Sequence, residues 1–462
     1  MKSKEKNENA CQREVDALVK KNPDLVIAAK DTIDRFKCGS IDVHKNKLVA
    51  CACITTPDTL NANYYVNIYT AMNNDIQEMA EWFKKLGVTD VIMESTGKYW
   101  IPVFNILEAK GLKPVITHPK YVKQVKGKKT DIRDAVYMAN LFRMGHVVTS
   151  FIPPSDIRDI RDLCRYRLKL TYIRTSEKNR IQNSMTVSQV RLDSVLSDPF
   201  GKTATEIMQY LLVEDPAKVS DEEILKHIDR RVQKSPKEIL DSIHGFCFPD
   251  AQRKKLTVLY SHLDSVNKAI EGIDEALAYY KDKYFEEIQI IISHPGIKET
   301  AAIFIIGEIG VDMSVWSSSH AMCSWAGVTP ASNESANKKK STRIGDGGHY
   351  LKPLLVQCAL AAIKTPYFQY KYERIKKRRG HKKAIIAIAH MILTDLYYML
   401  KNHECFKPDD LDEIKERIKC EKESSGSEAT GSLVNALAVL QAQGLPPEMI
   451  QSIVQQLKQK AK

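Results

Sequence analysis

The sequence lacks three features that define common classes of protein. Its ten cysteines include no C-x-x-C pair, which argues against a structural zinc site and a disulfide framework. No Gly-rich phosphate loop is present, which argues against a kinase of the actin-like sugar kinase type. No stretch approaches the ~20 apolar residues that span a bilayer, and the charged start Met1–Lys6 has no apolar segment behind it. We therefore expect a cytoplasmic protein with no membrane partner.

The chain does have length and positive charge. At 462 residues it is too long for a single hydrophobic core and should form several domains. Lysine and arginine total 69 against 57 acidic residues, giving a formal net charge of +12. Such an excess favours a polyanionic partner, although the clustering of charge is more informative than its total.

Four carboxylates form the most informative pattern. Thr130 is a good N-cap for a helix whose first turn carries Asp131 and Asp134, and the i, i+3 spacing puts both acids on one face. Acids in a first turn also complement the helix dipole, which is the simpler explanation for such a pair. However, Asp42 and Glu94 lie upstream, each at the end of a predicted strand. Four such carboxylates could hold a pair of Mg²⁺ ions.

The N-terminal part of the chain has the pattern of an α/β domain. Strands are predicted over residues 39–45, 48–54, 64–69, 91–94 and 114–117, helices over 74–86 and from Asp131, and Ser95 to Gly97 should begin a further helix. Three antiparallel strands followed by alternating helix and strand predict a ribonuclease H-like domain over residues 37–150. That fold brings acids of the first strand, the fourth strand and the last helix together. Residues 1–36 form an N-terminal extension.

The next segment is basic and helical. We predict a helical arm over residues 151–288, and the nearly heptad-like run 253–279 indicates a coiled coil that suits self-association. A solvated helix face or contacts with phosphate explain its arginines equally well. The candidate nucleic-acid-binding residues here are Arg158, Arg161, Arg165 and Arg167.

A mostly α-helical domain is predicted over residues 289–405, followed by a linker and helical tail over 406–462. The stretch from His294 to Ala302 indicates a helix-hairpin-helix-like element, whose turn can offer backbone amides to a phosphate. Ser335 lies in a turn-rich basic loop, where it could attack a phosphodiester or only touch one. The candidate nucleic-acid-binding residues of this domain are Lys338, Lys339, Lys340, Arg343, Lys376, Lys377, Arg378 and Arg379.

Five motifs in one order carry a resemblance to a known family. They are Ile41-Asp42-Val43-His44-Lys45, Met93-Glu94-Ser95-Thr96-Gly97, Lys129-Thr130-Asp131 to Asp134-Ala135, Pro295-Gly296-Ile297 and Asn333-Glu334-Ser335-Ala336. Together they resemble the DEDD transposases of the insertion-sequence one-ten family, the bridge-RNA-guided serine recombinases of prokaryotic mobile elements.

The resemblance implies a mechanism and a set of partners. Asp42, Glu94, Asp131 and Asp134 would bind Mg²⁺ in the RuvC-like domain, and Ser335 would join covalently to DNA, with Ser332 as the fallback nucleophile. The implied partners are donor and target DNA and a structured non-coding guide (bridge) RNA at the nucleoid. The implied assembly is a tetramer of two dimers, in which the serine domain of one subunit meets the acidic domain of another.

Two other functions stay open from the residues alone. A ribonuclease H-like nuclease would cut with a metal-activated water and leave free DNA ends, with Ser335 only contacting phosphate. A catalytically silent relative would bind nucleic acid without cutting it, although an intact set of four clustered acids argues against this function.

Overall fold

The computed structural model describes residues 33–56, 61–95, 97–122, 130–214, 218–330, 333–335, 338–341, 343–345, 347–408 and 410–420. They form two compact units, which we call unit one, ending at Ile152, and unit two, beginning at Pro153. Most of the predicted N-terminal extension and the tail beyond Cys420 lie outside the described residues.

Unit one is built on a mixed six-stranded sheet. Its strands are β1 (Lys37–Val43), β2 (Lys47–Thr55), β3 (Ala62–Thr70), β4 (Asp90–Glu94), β5 (Lys113–Thr117) and β6 (Thr149–Ser150). Its helices are α1 (Asn73–Lys85), α2 (Trp100–Ala109), α3 (Pro119–Val122) and α4 (Asp131–Arg143).

The strand order is β3-β2-β1-β4-β5-β6. Strands β1, β2 and β3 are antiparallel neighbours, β4 runs parallel to both β1 and β5, and β6 closes the sheet in the antiparallel sense. This mixed sheet with flanking helices confirms the predicted α/β class and is consistent with a ribonuclease H-like domain. Helix α2 begins at Trp100, so the prediction of a helix start at Ser95 to Gly97 is wrong. Gly97 has φ +55°, a left-handed conformation typical of a turn.

Both faces of the central strands are covered, because β1 and β2 alternate apolar side chains on each side. On one face Ile41 and Leu48 pack in a core that includes Phe83 of α1. On the other face Cys51 packs in a core with Phe142 of α4. The Ser40 hydroxyl donates a 2.6 Å hydrogen bond to the Ala135 carbonyl, which fastens α4 directly to β1. The acid-bearing helix is therefore held against the strand that carries Asp42.

The described part of unit two is mainly helical. Its helices are α5 (Ser155–Val187), α6 (Leu192–Val195), α7 (Lys202–Val213), α8 (Asp221–Lys226), α9 (Pro236–Asp241), α10 (Asp250–Lys283), α11 (Phe285–Ile292), α12 (Glu299–Ile309), α13 (Ser319–Trp325), α14 (Leu351–Ala362), α15 (Pro366–Arg379) and α16 (His381–Asn402). A short hairpin joins β7 (Asn333–Ser335) to β8 (Lys338–Ser341).

The two long helices α5 and α10 pack against each other. The buried residues of α10 recur with the three-and-four spacing of a heptad: Leu256, Leu259, Leu263, Val266, Ile270 and Leu277. Leu170 of α5 packs in one small core with two of these residues, Val266 and Ile270. The helices thus lie where the sequence predicts them, while their role as a coiled-coil arm stays a prediction.

The turn between α11 and α12 is the predicted helix-hairpin-helix-like segment. Gly296 has φ +89°, and a Cβ there would lie 2.5 Å from the Cys358 carbonyl oxygen of α14. The neighbouring His294 is buried and pairs with Asp395 of α16 at 3.2 Å. This turn is therefore packed into unit two rather than open on its surface.

Helix α16 corrects one expectation from the sequence. It is long and apolar enough to cross a membrane by length and composition, whereas the sequence suggested that no such segment exists. However, 56% of its most apolar window is buried within the protein. Packing against α13, α14 and α15 explains its apolar composition as that of a core helix.

Candidate metal and nucleophile sites

Helix α4 begins as the sequence predicts. The Thr130 side chain accepts a 3.3 Å hydrogen bond from the Arg133 backbone amide, and α4 starts at Asp131. Asp131 and Asp134 both lie in the first turn. Because α4 is fixed to β1, this turn points its acids toward the end of the strand that carries Asp42.

Three side chains converge at that end of the sheet. One possible metal-ligand atom from each of Asp42, His44 and Asp131 lies within 4.8 Å of the other two. We call this group the acid–histidine cluster. The His44 Nε2 atom lies 3.1 Å from a carboxylate oxygen of Asp42 and 3.7 Å from one of Asp131. Lys47, the first residue of β2, donates a 2.6 Å hydrogen bond to the second carboxylate oxygen of Asp131.

The other two predicted acids, Glu94 and Asp134, are not members of this cluster but lie at the same end of the sheet. Met93 of β4 lies beside Ile41 of β1 in parallel register, so Glu94 ends its strand at the same sheet edge as Asp42. Asp134 is near enough to Asp42 to raise the pKa of that carboxyl group. All four predicted acids thus occupy one end of unit one.

The electrostatics of the cluster differ between its two acids. Burial is the largest cause that raises the pKa of Asp42, and the charges of Asp131 and Asp134 add to it, while His44 opposes it. The pKa of Asp131 is lowered, chiefly by the hydrogen bond from Lys47. A cation near the half-buried Asp42 would stabilise its charged form, because the cation offsets both the cost of burying the charge and the repulsion from the neighbouring carboxylates.

The donor chemistry of the cluster fits a divalent cation. Carboxylate oxygens are the ligands that Mg²⁺ and Mn²⁺ prefer, and an imidazole nitrogen suits the transition metals. Asp42 and Asp131 supply the oxygens, and His44 supplies the nitrogen. The geometry therefore fits a divalent metal without distinguishing Mg²⁺ from Mn²⁺.

The sequence predictions did not include His44 and Lys47 as site residues. One signal was available for His44, since it lies two residues after Asp42 in the predicted strand 39–45, where side chains alternate between the two faces. Lys47 carried no such signal, because its contact with Asp131 joins residues 84 positions apart.

Ser335 lies in unit two, at the end of strand β7. The antiparallel register pairs Ser335 with Lys338 and Glu334 with Lys339, with an irregularity between Asn333 and Glu334. The predicted lysines Lys338, Lys339 and Lys340 therefore lie on the strand that pairs with the serine strand. The fallback nucleophile, Ser332, lies outside the described residues.

The predicted nucleic-acid-binding arginines of α5 make contacts within unit two. Arg165 binds both carboxylate oxygens of Glu308, at 2.7 and 2.8 Å, and Arg161 donates to the Gly307 and Glu308 carbonyls at 2.8 Å. Arg167 binds both carboxylate oxygens of Asp274 at 2.6 and 2.9 Å. Arg158 donates to the Pro153 carbonyl at 2.8 Å. These contacts show that the four arginines stabilise the packing of unit two. Their contact with phosphate stays a prediction.

The basic residues near the C-terminal end of α15 have a different environment. Lys376, Lys377, Arg378 and Arg379 form its last turn and are all exposed. Lys376 also donates to Glu373 at 3.1 Å on the same helix. Arg343 is exposed as well and follows the β7–β8 hairpin. This surface is positively charged and accessible, as binding to phosphate requires.

Comparison with known proteins gives two family matches and one relative. A model of DEDD transposases of the IS110 type, described as "Transposase", matches residues 39–188, which contain all four predicted acids. A second model, described as "Transposase IS116/IS110/IS902 family", matches residues 288–373, which contain Ser335. The chain is also 27% identical, over 142 residues, to the "Insertion element IS900 uncharacterized 42 kDa protein" of Mycobacterium paratuberculosis. That alignment covers 30% of this chain and only 35% of the relative.

Proposed function

The chain belongs to the IS110 family of DEDD transposases, and from this premise we propose that it is a DNA recombinase of an insertion sequence. It would cut and rejoin donor and target DNA through a covalent bond between Ser335 and a DNA phosphate. The observation that carries the proposal is the joint presence of the acid–histidine cluster in one matched segment and the basic serine hairpin in the other.

Asp42, Glu94, Asp131 and Asp134 are the residues that would hold Mg²⁺, with His44 beside them. The chemistry that Mg²⁺ supplies when bound is polarisation of a phosphate and a lower barrier to alkoxide formation. Lys47 would hold the Asp131 carboxylate in place, since it donates a 2.6 Å hydrogen bond to one of its oxygens. His44, whose Nε2 atom lies 3.1 Å from a carboxylate oxygen of Asp42, would supply a nitrogen ligand beside these acids.

Ser335 would act as the nucleophile. Its hydroxyl oxygen loses its proton and forms a bond to phosphorus, and the bond from phosphorus to one bridging oxygen of the DNA breaks. That departing oxygen takes up one proton and becomes a hydroxyl, so one proton is lost and one is gained. The lysines on β8 and Arg343 would stabilise the negative charge that develops on the phosphate. Strand joining reverses these steps with a hydroxyl of the partner DNA.

The partners follow from the family resemblance. We propose that a structured guide RNA selects donor and target DNA by base pairing at the nucleoid. Two dimers would form a tetramer, in which the serine domain of one subunit works with the acidic domain of another. The formal net charge of +12 is suited to binding both nucleic acids.

Covalent capture tests the mechanism. The full-length protein is mixed with the RNA transcribed beside its gene, a matching DNA duplex and Mg²⁺, and a denaturing gel is examined for a protein–DNA adduct. Wild type, Ser335→Ala, Ser332→Ala and Asp131→Asn are compared. We expect an adduct in wild type and in Ser332→Ala, and none in the other two variants.

Other outcomes would assign a different function. Cleavage without an adduct, unaffected by Ser335→Ala, would refute the serine mechanism and support a nuclease that uses activated water. Binding without cleavage in wild type, at any concentration of Mg²⁺ or Mn²⁺, would support a catalytically silent relative. Loss of the adduct in Ser332→Ala alone would move the nucleophile to Ser332.

A further inference from the structure

Unit two contains a cavity of about 810 Å³ at the base of the serine hairpin. One wall is a face of α16, formed by Lys383, Ala387 and Met391 at successive i, i+4 positions. Ile375 and Arg379, which are also four residues apart, line it from α15. We call this cavity the hairpin pocket.

The walls from α15 and α16 are fixed relative to each other. Gly380 separates the two helices with φ +80°, so the chain reverses there and α16 packs back on α15. The Tyr372 hydroxyl lies 2.7 Å from Nδ1 of His381 and joins the first turn of α16 to α15. The two helices that line the pocket are therefore held together at this end.

The opposite wall comes from the two segments that flank the serine hairpin. Pro330 and Ile344 form an isolated β-bridge, and both line the pocket. Behind them, a Cβ on Gly348 would lie 2.1 Å from the Ala326 carbonyl oxygen, so only glycine permits this approach. The ammonium group of Lys352 donates to the Gly345 carbonyl at 2.7 Å. The pocket wall and the base of the hairpin are thus one tightly packed structure.

The chemistry of the pocket is that of an amphipathic anion's binding site. Its rim carries the cations Arg343, Arg379, Lys382 and Lys383. The described lining residues include no carboxylate, and most of the others are apolar, such as Ile344, Ile386 and Met391. His390 also lines the pocket, and burial is the main cause that holds its pKa below the ordinary value of 6.5. A neutral imidazole at neutral pH offers a flat ring, one hydrogen-bond donor and one acceptor.

We propose that the hairpin pocket accepts one unpaired nucleotide of the nucleic acid on which the serine hairpin acts. The base would lie on the apolar floor, and the flanking phosphates would contact the rim cations. The inference rests on the proposed function, since that function brings nucleic acid to this hairpin. The volume is within the range of about 300 to 1,000 Å³ that ligand pockets have. Holding one base out of the stack would fix the position of the neighbouring phosphate relative to Ser335.

Binding of the full-length protein to two fluorescent DNA duplexes tests the proposal. One duplex is fully paired, and the other carries a single unpaired 2-aminopurine at its centre. Since stacking of a base on a protein strengthens binding, we expect wild type to prefer the second duplex by about tenfold, which corresponds to about 1.4 kcal/mol. The emission of 2-aminopurine should change on binding, because the base leaves its neighbours in the strand.

Three variants locate the effect. Ala387→Leu fills the floor of the pocket without changing its charge. We expect this variant to bind the two duplexes with about equal affinity and to show no change in 2-aminopurine emission. Arg379→Gln removes a rim cation and should reduce binding of the unpaired duplex more than that of the paired one. Arg378→Gln is the matched control, since it removes the same charge one residue away from the pocket lining. It should weaken binding of both duplexes equally. Melting temperatures show that each variant is folded.

The possible failures can be told apart. Equal affinity of wild type for both duplexes, or a preference that survives Ala387→Leu, would overturn the proposal. If the covalent adduct at Ser335 still forms in that case, the recombinase function stands and only the pocket assignment fails. If the preference is present but no adduct forms, the pocket assignment stands without the recombinase. Phosphatidylglycerol vesicles bound by wild type but not by Ala387→Leu, with no preference between duplexes, would assign the pocket to an anionic lipid.

Discussion

Glu308 is a buried carboxylate near the end of α12, and Arg165 holds it with two hydrogen bonds. Its side chain is only 7% exposed, so the charge has little contact with water. An arginine in this position supports the packing of α5 on α12, whatever nucleic acid the protein binds. A basic residue in the sequence can therefore stabilise the fold or bind a phosphate, and its contacts in the structure distinguish the two roles.

Arg165→Ala should destabilise the protein, because it leaves the Glu308 carboxylate buried without its partner. Loss of one member of a buried pair costs about 3–5 kcal/mol, and the 36% exposure of Arg165 reduces our expectation to roughly 2 kcal/mol. Urea unfolding measures the change. Lys169→Ala, an exposed position on the same helix, is the control and should change stability by about 0.5 kcal/mol or less. Equal effects of the two variants would contradict this role for Arg165.

The ion pair between Arg167 and Asp274 predicts a dependence on pH. The hydrogen bonds from Arg167 are the main cause that holds the pKa of Asp274 below its ordinary value of 3.8. Because the folded pKa lies below the unfolded one, this stabilisation is complete above about pH 4 and is lost as the pH falls through the folded pKa. Asp274→Asn should therefore lower the melting temperature at pH 6, and the difference from wild type should shrink toward zero below pH 4.

A matched acid separates this effect from general acid unfolding. Asp264 lies on the same helix and is 63% exposed, beside Lys268. Asp264→Asn should give a small difference from wild type at every pH. A difference for Asp274→Asn that stays constant from pH 6 to pH 3 would show that the carboxylate charge is not what stabilises the pair.

At the scale of elements, the turn between α11 and α12 depends on a single glycine. Gly296→Ala combines a left-handed backbone with a Cβ 2.5 Å from the Cys358 carbonyl oxygen. Gly245→Ala is the control, because Gly245 has φ +82° but nothing within 4 Å of the added Cβ. The control should cost about 1–2 kcal/mol, and Gly296→Ala should cost about 1–3 kcal/mol more. Similar unfolding midpoints for the two variants would refute the steric explanation.

Local sequence patterns predict the elements of this fold better than the contacts between them. Alternation of apolar residues is enough to predict the β1–β2 hairpin, and Thr130 is enough to predict the start of α4. The acid–histidine cluster could be predicted only in part, since the ends of β1 and β4 indicate Asp42 and Glu94 but not Lys47. Likewise, Arg165 and Glu308 lie 143 positions apart, and no short-range pattern indicates such a pair. Contacts of this kind form when distant elements pack together, and short sequence patterns carry no information about that packing.

At the scale of the whole molecule, metal binding should stabilise the fold. A cation that binds only the folded state, at tenfold excess over its dissociation constant, adds about 1.4 kcal/mol. We expect Mg²⁺ or Mn²⁺ to raise the melting temperature of the full-length protein and a chelator to reverse the increase. Asp42→Asn should abolish the effect, and Glu78→Gln, an exposed acid on α1, should retain it. An equal shift in both variants would mean that the ion binds elsewhere.

A catalytic site shared between two subunits predicts that two inactive variants can complement each other. If the serine of one subunit works with the acids of another, Ser335→Ala and Asp131→Asn are defective in different halves of a shared site. Each variant alone should form no adduct, and a mixture of the two should recover about a quarter of the wild-type amount if four subunits mix at random and each complete site acts alone. The adduct in the mixture should involve only the Asp131→Asn chain, because that chain keeps its serine, and a size tag on one variant identifies it. If the mixture stays inactive while size exclusion shows mixed oligomers, the acids and the serine must come from the same subunit.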